Sequence, residues 1–283
     1  MAAGLSTSDW YHPKSIAKQK RALTLVELLV VIAIIGVLIG LALPAVQMAR
    51  ESSRRSACSS NLRQVATAVL LHEEAHRTLP TGGWGADWVG DPDAGFTPKQ
   101  PGGWVYNILP FVEQQNLRNI GKSEQPDVKR VSLAKVLETP LEVFQCPSRR
   151  LPRPFPYQGP AKLENVNPPD KVAKSDYAIT PVVSSLKSEV LLSHIINRKG
   201  ASNTVMAGEK ALGMDDYTTG AAAGDQLSMY CGDSDDIRRS MSASTSSDQS
   251  GSSSGFGSPH AGGCNFAFCD SAVRFISSDE NAE

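Results

Sequence analysis

The sequence has no excess of either charge and no closely spaced pair of cysteines. Its 28 lysine and arginine residues nearly balance its 29 aspartate and glutamate residues, which gives a formal net charge of -1. A dedicated nucleic-acid-binding protein carries a strong basic excess, so we expect no nucleic acid among the partners. The five cysteines form no CxxC pair, which argues against a metal ribbon or a thioredoxin-like motif. The chain also contains no internal repeat.

The cysteines leave room for disulfides if most of the chain lies outside the cytoplasm. An oxidising compartment would then allow up to two disulfides with one thiol left over. Spacing alone does not fix which of the five residues pair: Cys58, Cys146, Cys231, Cys264 and Cys269.

One long hydrophobic run dominates the N-terminal part. The segment from Leu28 to Val46 has 19 residues with no charge, amide or hydroxyl, and it is long enough to cross a bilayer as a helix. Glu27 lies at its edge, where a charge entering hydrocarbon is costly and tends to be functional. The basic residues of the preceding segment favour a cytoplasmic N-terminus and an exported C-terminal domain.

Two ordinary interpretations of this run are a cleaved secretory signal and a simple signal anchor. A secretory signal has an apolar core of about 7–15 residues followed by a small-x-small site. This core is longer, and the best such site, Gly40-Leu41-Ala42, lies inside it.

The segment 21–29, RALTLVELL, resembles the leader junction of type IV pilins and type II secretion pseudopilins. The resemblance implies a leader of residues 1–22, cut by a prepilin peptidase between Ala22 and Leu23, and methylation of the new N-terminus. It implies that Glu27 is the assembly carboxylate and that Pro44 bends the helix. Ala22 stands where the family usually has Gly, and Leu23 where it usually has Phe.

A physical argument supports an assembly role for Glu27. Cleavage would free the amine of Leu23 close to the apolar region, and Glu27 of a neighbouring subunit can neutralise it. Pairing the two charges in a low dielectric is favoured over leaving either one alone. The alternative is a headgroup-level carboxylate with no partner.

The helix is predicted to continue as an amphipathic segment, so that the whole element covers residues 23–79. Apolar or small residues recur there at helical spacing: Val46, Ala49, Ser53, Ala57, Leu62, Val65 and Val69. The first break follows at Leu79-Pro80, and residues 80–283 form the predicted globular domain.

The end of this helix contains an HExxH string, with His72 and His76 one turn apart and Glu73 between them. On a buried helix these residues bind zinc and supply the general base of a metalloprotease. Because the string lies at a helix end without an evident third ligand, we interpret it as two solvent-facing histidines. A zinc hydrolase is a remote alternative.

The C-terminal domain is rich in Gly, Pro and Ser, with short apolar stretches typical of strands separated by long loops. The stretches are Trp104–Val112, Val143–Gln145, Tyr177–Val183, Thr204–Ala207, Asn265–Phe268 and Ala272–Ile276. Helices are predicted around Leu133–Leu137 and Pro110–Asn119, and residues 240–258 form a low-complexity loop expected to be mobile. The prediction is an α+β, pilin-like fold with a long transmembrane and amphipathic helix packed on an antiparallel sheet.

The last two stretches predict a β-hairpin, with Phe266 and Phe268 on one face and Val273 and Phe275 on the returning strand. A tight type I′ turn favours Gly after the aspartate. Ser271 at this position would cost about 1 kcal/mol or select a looser turn.

This C-terminal region resembles a bacterial domain family of unknown function that carries a signature of His, nine residues, Asp-Gly and follows pilin-like N-termini. His260 and Asp270 match the signature, with Ser271 in place of Gly. Other matching pieces are the segments 58–62 (CSSNL), 103–104, 109–114, 144–148 (FQCPS), 176–178 and 202–209 (SNTVMAGE). His260 and Asp270 can be interpreted as an acid–base or metal pair, or as a turn aspartate and a histidine bonded to backbone; we favour the second.

An acidic cluster, Asp233, Asp235 and Asp236, offers oxygen ligands at alternate positions that suit Ca²⁺. It lacks the glycine and the distal glutamate of an EF-hand. The alternative is a solvated acidic turn, and we expect no other metal or cofactor.

Together these features predict a pseudopilin-like structural subunit with no catalytic role. Its expected partners are the membrane, prepilin peptidase and other pilin-like subunits. It would lie in the inner membrane as a single-pass protein with a cytoplasmic N-terminus and an exported, periplasmic domain. The alternative is a membrane-anchored exported binding protein that uses the pilin-like signal for export alone.

Overall fold

The computed structural model describes residues 24–241, 246–248 and 255–278. The predicted leader and the predicted cleavage junction between Ala22 and Leu23 lie outside the described residues. So do residues 242–245 and 249–254 of the predicted mobile loop. The chain divides into two compact units, Met1–Met48 and Ala49–Glu283.

The described part of the first unit is helical. Helix α1 spans Leu25–His76 and contains Pro44. All side chains from residue 24 to residue 50 are exposed, including large apolar ones such as Leu25, Ile34 and Leu41. By length and composition α1 is apolar enough to cross a membrane, and none of its most apolar window is buried.

In the second unit, α1 buries one face. Cys58, Leu62, Val65, Val69 and His72 follow one another at steps of three or four residues and are fully buried. This spacing keeps them on one side of a helix. The predicted stripe is therefore confirmed at Leu62, Val65 and Val69 and wrong at its N-terminal positions, since Val46, Ala49, Ser53 and Ala57 are exposed.

The remaining helices are short. They are α2 (Trp104–Ile108), α3 (Gln115–Arg118), α4 (Pro126–Leu137) and α5 (Leu192–Arg198). The predicted strand at Trp104–Val112 is wrong, because α2 and a 3-10 turn at Leu109–Val112 occupy it. Likewise, Glu142–Phe144 form a 3-10 turn instead of a strand. Both segments contribute buried aromatic side chains to the core, and the rings of Trp104 and Phe144 pack edge to face there.

Among the described residues, the strands form one four-stranded sheet and two small pairs. They are β1 (Phe155–Pro156), β2 (Lys171–Val172), β3 (Tyr177–Ile179), β4 (Val205–Glu209), β5 (Ser246–Ser247), β6 (Gly257–Ser258), β7 (Gly263–Phe268) and β8 (Val273–Ser277). The main sheet has the order β3-β4-β7-β8 and is antiparallel throughout. With the long helix, it gives the predicted α+β fold. β1 pairs with β2, and β5 pairs with β6 in parallel.

The predicted hairpin is present as β7 and β8. Phe266 and Phe268 share one face, but the residue opposite Phe266 is Arg274, whose guanidinium lies 4.3 Å from the Phe268 ring centre. Val273 and Phe275 are on the other face, since they pair with Ala267 and Asn265.

The hairpin turn is the looser type. Ser271 has φ of +61° and donates its N–H to the carbonyl of Phe268 at 2.9 Å. Asp270 accepts the Ala272 N–H at 3.0 Å. A positive φ favours glycine, which explains why a serine here carries strain.

Candidate functional site

The start of α1 is closed by Thr24 and Glu27. The Thr24 N–H donates to Glu27 Oε2 at 2.8 Å, and the Glu27 N–H donates to Thr24 Oγ1 at 3.2 Å. The Thr24 hydroxyl also donates to Glu27 Oε2 at 2.9 Å. This reciprocal pattern is a capping box, which satisfies two donors that a helix start otherwise leaves unpaired. Within one chain, the Glu27 carboxylate therefore has a structural role.

A second cluster lies inside the C-terminal unit and gathers residues from four parts of the chain. Glu51 and Cys58 come from α1, and Cys146 lies two residues after the turn at Glu142–Phe144. Glu209 is the last residue of β4, and His260 lies between β6 and β7. We call these five residues the His260 cluster. Antiparallel pairing of β4 with β7 brings Glu209 close to the segment that carries His260.

His260 connects the two carboxylates of the cluster. Its Nδ1 lies 2.6 Å from Glu51 Oε1, and its Nε2 lies 3.2 Å from Glu209 Oε1. Burial lowers the pKa of His260, but hydrogen bonds with Cys146, Glu209 and Glu51 outweigh it and raise the pKa to about 10. The ring is therefore an imidazolium that donates from both nitrogens, one to the helix and one to the sheet.

Glu209 is fully buried, and both oxygens of its carboxylate have polar partners. Its Oε2 accepts the Ser258 hydroxyl at 2.8 Å and the Asn265 N–H at 2.9 Å. Its Oε1 also accepts the Asn265 side-chain amide at 3.3 Å. Burial raises the pKa of Glu209, yet His260, the charge of Arg149 and the Asn265 N–H lower it overall. A buried carboxylate with this many donors remains ionised.

The carboxylate of Glu51 also accepts hydrogen bonds from residues outside the cluster. The Ser148 hydroxyl lies 3.1 Å from each of its carboxylate oxygens, and the Arg54 Nε donates to it at 2.9 Å. Its side chain is 37% exposed. Glu51 thus joins α1 to both His260 and the segment that follows Cys146.

The two thiols of the cluster are in contact. Cys58 Sγ lies 2.7 Å from Cys146 Sγ, and both residues are buried. Cys146 Sγ lies 3.8 Å from His260 Nε2. The Cys146 N–H is fixed by Asp176 at 2.8 Å, so the position of this thiol is set by the backbone.

Thiolate, imidazole and carboxylate are donors that zinc accepts. Each of Cys58, Cys146, Glu209 and His260 offers one such atom, and the four atoms lie within 4.8 Å of one another. The donor types fit a metal, but both nitrogens of His260 and both oxygens of Glu209 already have partners. A metal would have to displace these contacts.

A buried ionic network lies beyond the cluster. Arg149 pairs with Asp248 at 2.8 Å, and Arg150 pairs with Asp225 at 2.6 Å. Lys210 reaches the same Asp225 at 2.7 Å. Because Asp248 is buried, this part of the predicted mobile loop is packed, and the expectation of mobility is wrong there. Breaking one partner of such a pair leaves an uncompensated charge in the core.

The structure separates the two residues of the C-terminal signature. Asp270 takes part in the hairpin turn and lies 3.9 Å from Arg274, whereas His260 contacts Glu51 and Glu209. His260 thus bonds carboxylates, and the expected backbone partner for its ring is wrong.

The three aspartates of the predicted calcium site have different surroundings. Asp233 pairs with Arg238, and buried Asp236 accepts the Leu227 N–H at 2.7 Å. Asp235 is exposed. The calcium site stays a prediction.

The HExxH histidines are not solvent-facing. His72 is fully buried and its Nδ1 lies 3.0 Å from the Thr78 carbonyl, while His76 stacks on Phe96 with ring centres 4.0 Å apart. Burial, together with the charges of His76 and Arg118, lowers the pKa of His72 to about 4. The expected exposure was wrong because the end of α1 packs against aromatic loop residues. His72 is a core residue, whereas His76 is half-buried and packs on the Phe96 ring.

Sequence reasoning did not single out Glu51 or Glu209, and it did not pair Cys58 with Cys146. The five cluster residues are spread over 210 positions, from 51 to 260, so no local spacing connects them. One signal was available: Cys58, Cys146, Glu209 and His260 each lie in a segment that carries the family resemblance.

Comparison with known proteins gives one match at the N-terminal segment and another over the rest of the chain. Residues 17–43 match the prokaryotic N-terminal methylation motif, which marks proteins processed like type IV pilins. Residues 47–283 match a family described as protein of unknown function (DUF1559), and the chain belongs to that family. No curated protein and no solved structure gives a significant match.

Proposed function

We propose that this protein is a structural subunit of a type II secretion or type IV pilus-like system. In this proposal, prepilin peptidase removes residues 1–22 and the amine of Leu23 is methylated. The subunit is held in the inner membrane by Leu28–Val46, with the C-terminal domain on the exported side, and it assembles with other pilin-like subunits. No catalytic step is required.

The observation that carries the proposal is the unburied apolar half of α1. Residues 25–48 are exposed along their whole length, and the methylation motif overlaps this segment at residues 17–43. Exposed apolar surface of this extent needs a cover, which lipid or the equivalent helices of other subunits provide.

The capping box supports a role for Glu27 in assembly. Thr24 would be the second residue of the mature chain, so the cap places the carboxylate beside the new N-terminus. Before assembly, Thr24 supplies donors to Glu27, and the carboxylate is not left without partners. During assembly, the charged amine of a neighbour would form an ion pair with this carboxylate, because pairing two opposite charges in a low dielectric is favoured over leaving either one alone.

The test begins with the mature protein purified from a bacterium that has prepilin peptidase. Mass spectrometry is expected to find methylated Leu23 at the N-terminus. An intact terminus at Met1 or Ala2 would remove the processing step from the proposal.

The assembly role is tested with matched variants. Glu27→Gln keeps the capping hydrogen bonds but removes the charge, whereas Thr24→Ala weakens the cap and keeps the charge. We expect crosslinked oligomers in the membrane to be lost with Glu27→Gln and retained with Thr24→Ala. Normal oligomers with Glu27→Gln would contradict the pairing with a neighbour's amine.

A cavity supports the second candidate, an anchored exported binding protein. It has a volume of about 570 Å³ and is lined by apolar side chains together with the cationic Arg198 and Lys199. Crosslinking that yields monomers alone in the membrane, from a correctly processed protein, would favour this candidate.

A further inference from the structure

We propose that Cys58 and Cys146 form a disulfide in the exported protein and thereby fasten α1 covalently to the turn at residues 146–150. The inference rests on the proposed function for one point, the oxidising compartment. Its geometry is independent of processing and assembly.

The contact between the two sulfurs fits this bond better than it fits a metal. Two zinc-bound thiolates, each about 2.3 Å from a tetrahedral ion, lie roughly 3.7 Å apart, whereas a disulfide joins sulfurs at about 2.05 Å. The observed 2.7 Å between Cys58 Sγ and Cys146 Sγ is closer to the second value. Closing the bond therefore needs less movement than admitting an ion between the sulfurs.

The other members of the His260 cluster are already satisfied. His260 donates to Glu51 and Glu209, and Glu209 also accepts from Ser258 and Asn265. A zinc ion would remove the proton from His260 Nε2 and break its contact with Glu209. A disulfide leaves all of these hydrogen bonds in place.

Among the five cysteines, Cys58 and Cys146 are the pair in sulfur contact. Cys264 Sγ faces the backbone carbonyls of Glu209, Gly257 and Asn265, each at 3.7 Å. Cys231 and Cys269 are buried and are not paired with another cysteine. The structure thus selects one pair of cysteines, where the sequence left the pairing open.

The chemistry is a two-electron thiol–disulfide exchange. Folding or local opening first exposes one of these buried thiols. Its thiolate attacks the disulfide of an oxidant, such as oxidised glutathione or an exported disulfide oxidoreductase, and releases one of the oxidant's thiols. The second cysteine then attacks the mixed disulfide, forms the Cys58–Cys146 bond and releases the other thiol. The two protons of the cysteines end on the reduced oxidant, which takes up two electrons.

The bond would join the two elements that the proposed function requires to act together. α1 carries the membrane and assembly segment, and Cys146 precedes the turn anchored by Arg149 and Arg150 in the buried ionic network. His260 spans the same gap ionically through Glu51. A pull on α1 would then be borne by a covalent bond as well as by side-chain packing.

The experiment uses the full chain purified in detergent and equilibrated with oxidised glutathione, then blocked with an alkylating reagent and digested with trypsin. Residues 56–63 and 136–149 are the two tryptic peptides, and each contains one cysteine. We expect them as one linked peptide that separates on reduction. After denaturation, three of the five thiols should react instead of all five. Cys269→Ser is the matched control, and it should keep the link.

Three results would overturn the proposal: five reactive thiols after equilibration, a link between a different pair, or one zinc ion per chain that protects Cys58 and Cys146 until a chelator is added. The outcome is separable from that of the proposed function. A linked peptide in a protein that retains Met1 would leave the disulfide standing and remove the processing step. Unlinked peptides in a protein that begins at Leu23 would do the reverse.

Discussion

Reducing the Cys58–Cys146 bond is expected to lower the free energy of unfolding of the C-terminal unit by several kcal/mol. The two residues are 88 positions apart. For a loop of this length, the chain-entropy relation gives a loss of about 15 cal/mol/K in the unfolded state, or about 4.6 kcal/mol at 25 °C. Measured disulfide contributions fall at about 2–4 kcal/mol, so we expect a decrease of about 3–5 kcal/mol.

The assay is urea unfolding of the oxidised full chain in detergent, with and without reductant. Fluorescence of buried Trp104, which packs against Phe144 two residues before Cys146, reports the transition. With a slope of about 2–3 kcal/mol/M, the midpoint should fall by roughly 1–2 M on reduction. The double variant Cys58→Ala with Cys146→Ala should start near the lower midpoint and not respond to reductant. Equal midpoints for the oxidised and reduced wild type would refute the reasoning.

Three further predictions concern single residues. In the reduced protein, in which the Cys146 thiol contributes to the shift, His260 has a pKa raised to about 10 from an ordinary value of 6.5, so its contribution to stability is complete below pH 6.5 and is lost as pH rises through 10; His260→Gln should remove this slope in urea titrations with reductant. His72 has a pKa lowered to about 4, so stability should fall as pH drops from 6.5 to 4, and His72→Asn should abolish that fall while keeping a donor for the Thr78 carbonyl. Ser271→Gly should stabilise the hairpin by about 0.5–1 kcal/mol in thermal unfolding, because glycine accepts the positive φ without strain.

Each of these predictions has a contradicting outcome. A His260→Gln variant with the same alkaline slope as wild type would show that the imidazolium is not the titrating group. An unchanged acidic slope in His72→Asn would assign that slope to carboxylates instead. Ser271→Ala is the control for the turn, and a gain in stability from Ala equal to that from Gly would contradict the argument from φ.

Local patterns were sufficient for the elements that depend on neighbouring residues. The apolar run Leu28–Val46 and the segment around Glu27 are continuous in sequence, and they predicted the N-terminal helix and the methylation motif. The β7–β8 hairpin was predicted for the same reason, since its strands are joined by four residues. Ser271 at a position that favours glycine left two alternatives, a strained tight turn or a looser turn, and the structure shows the looser turn with Ser271 at a positive φ.

Patterns failed where packing against distant segments decides the conformation. The stretch 104–112 has the composition of a strand, yet it forms α2 and a 3-10 turn because Trp104 and its neighbours pack inside the core. His72 has the residue type and position of an exposed ligand, yet loops carrying Phe96 and Phe111 cover it. Asp248 lies in a serine-rich stretch that suggested mobility, but its pairing with Arg149 buries it.

By itself the sequence determined the anchor, the processing motif and the order of helix and sheet, because each of these is encoded in consecutive residues or in a fixed period. Only the tertiary structure decided the His260 cluster. Its side chains come from α1, the 146–150 turn, β4 and the segment before β7. The residues that contact one another in this cluster are separated by as many as 209 positions in the sequence. Contacts between residues so far apart in sequence depend on how α1 packs against the sheet, and no short-range sequence pattern predicts that packing.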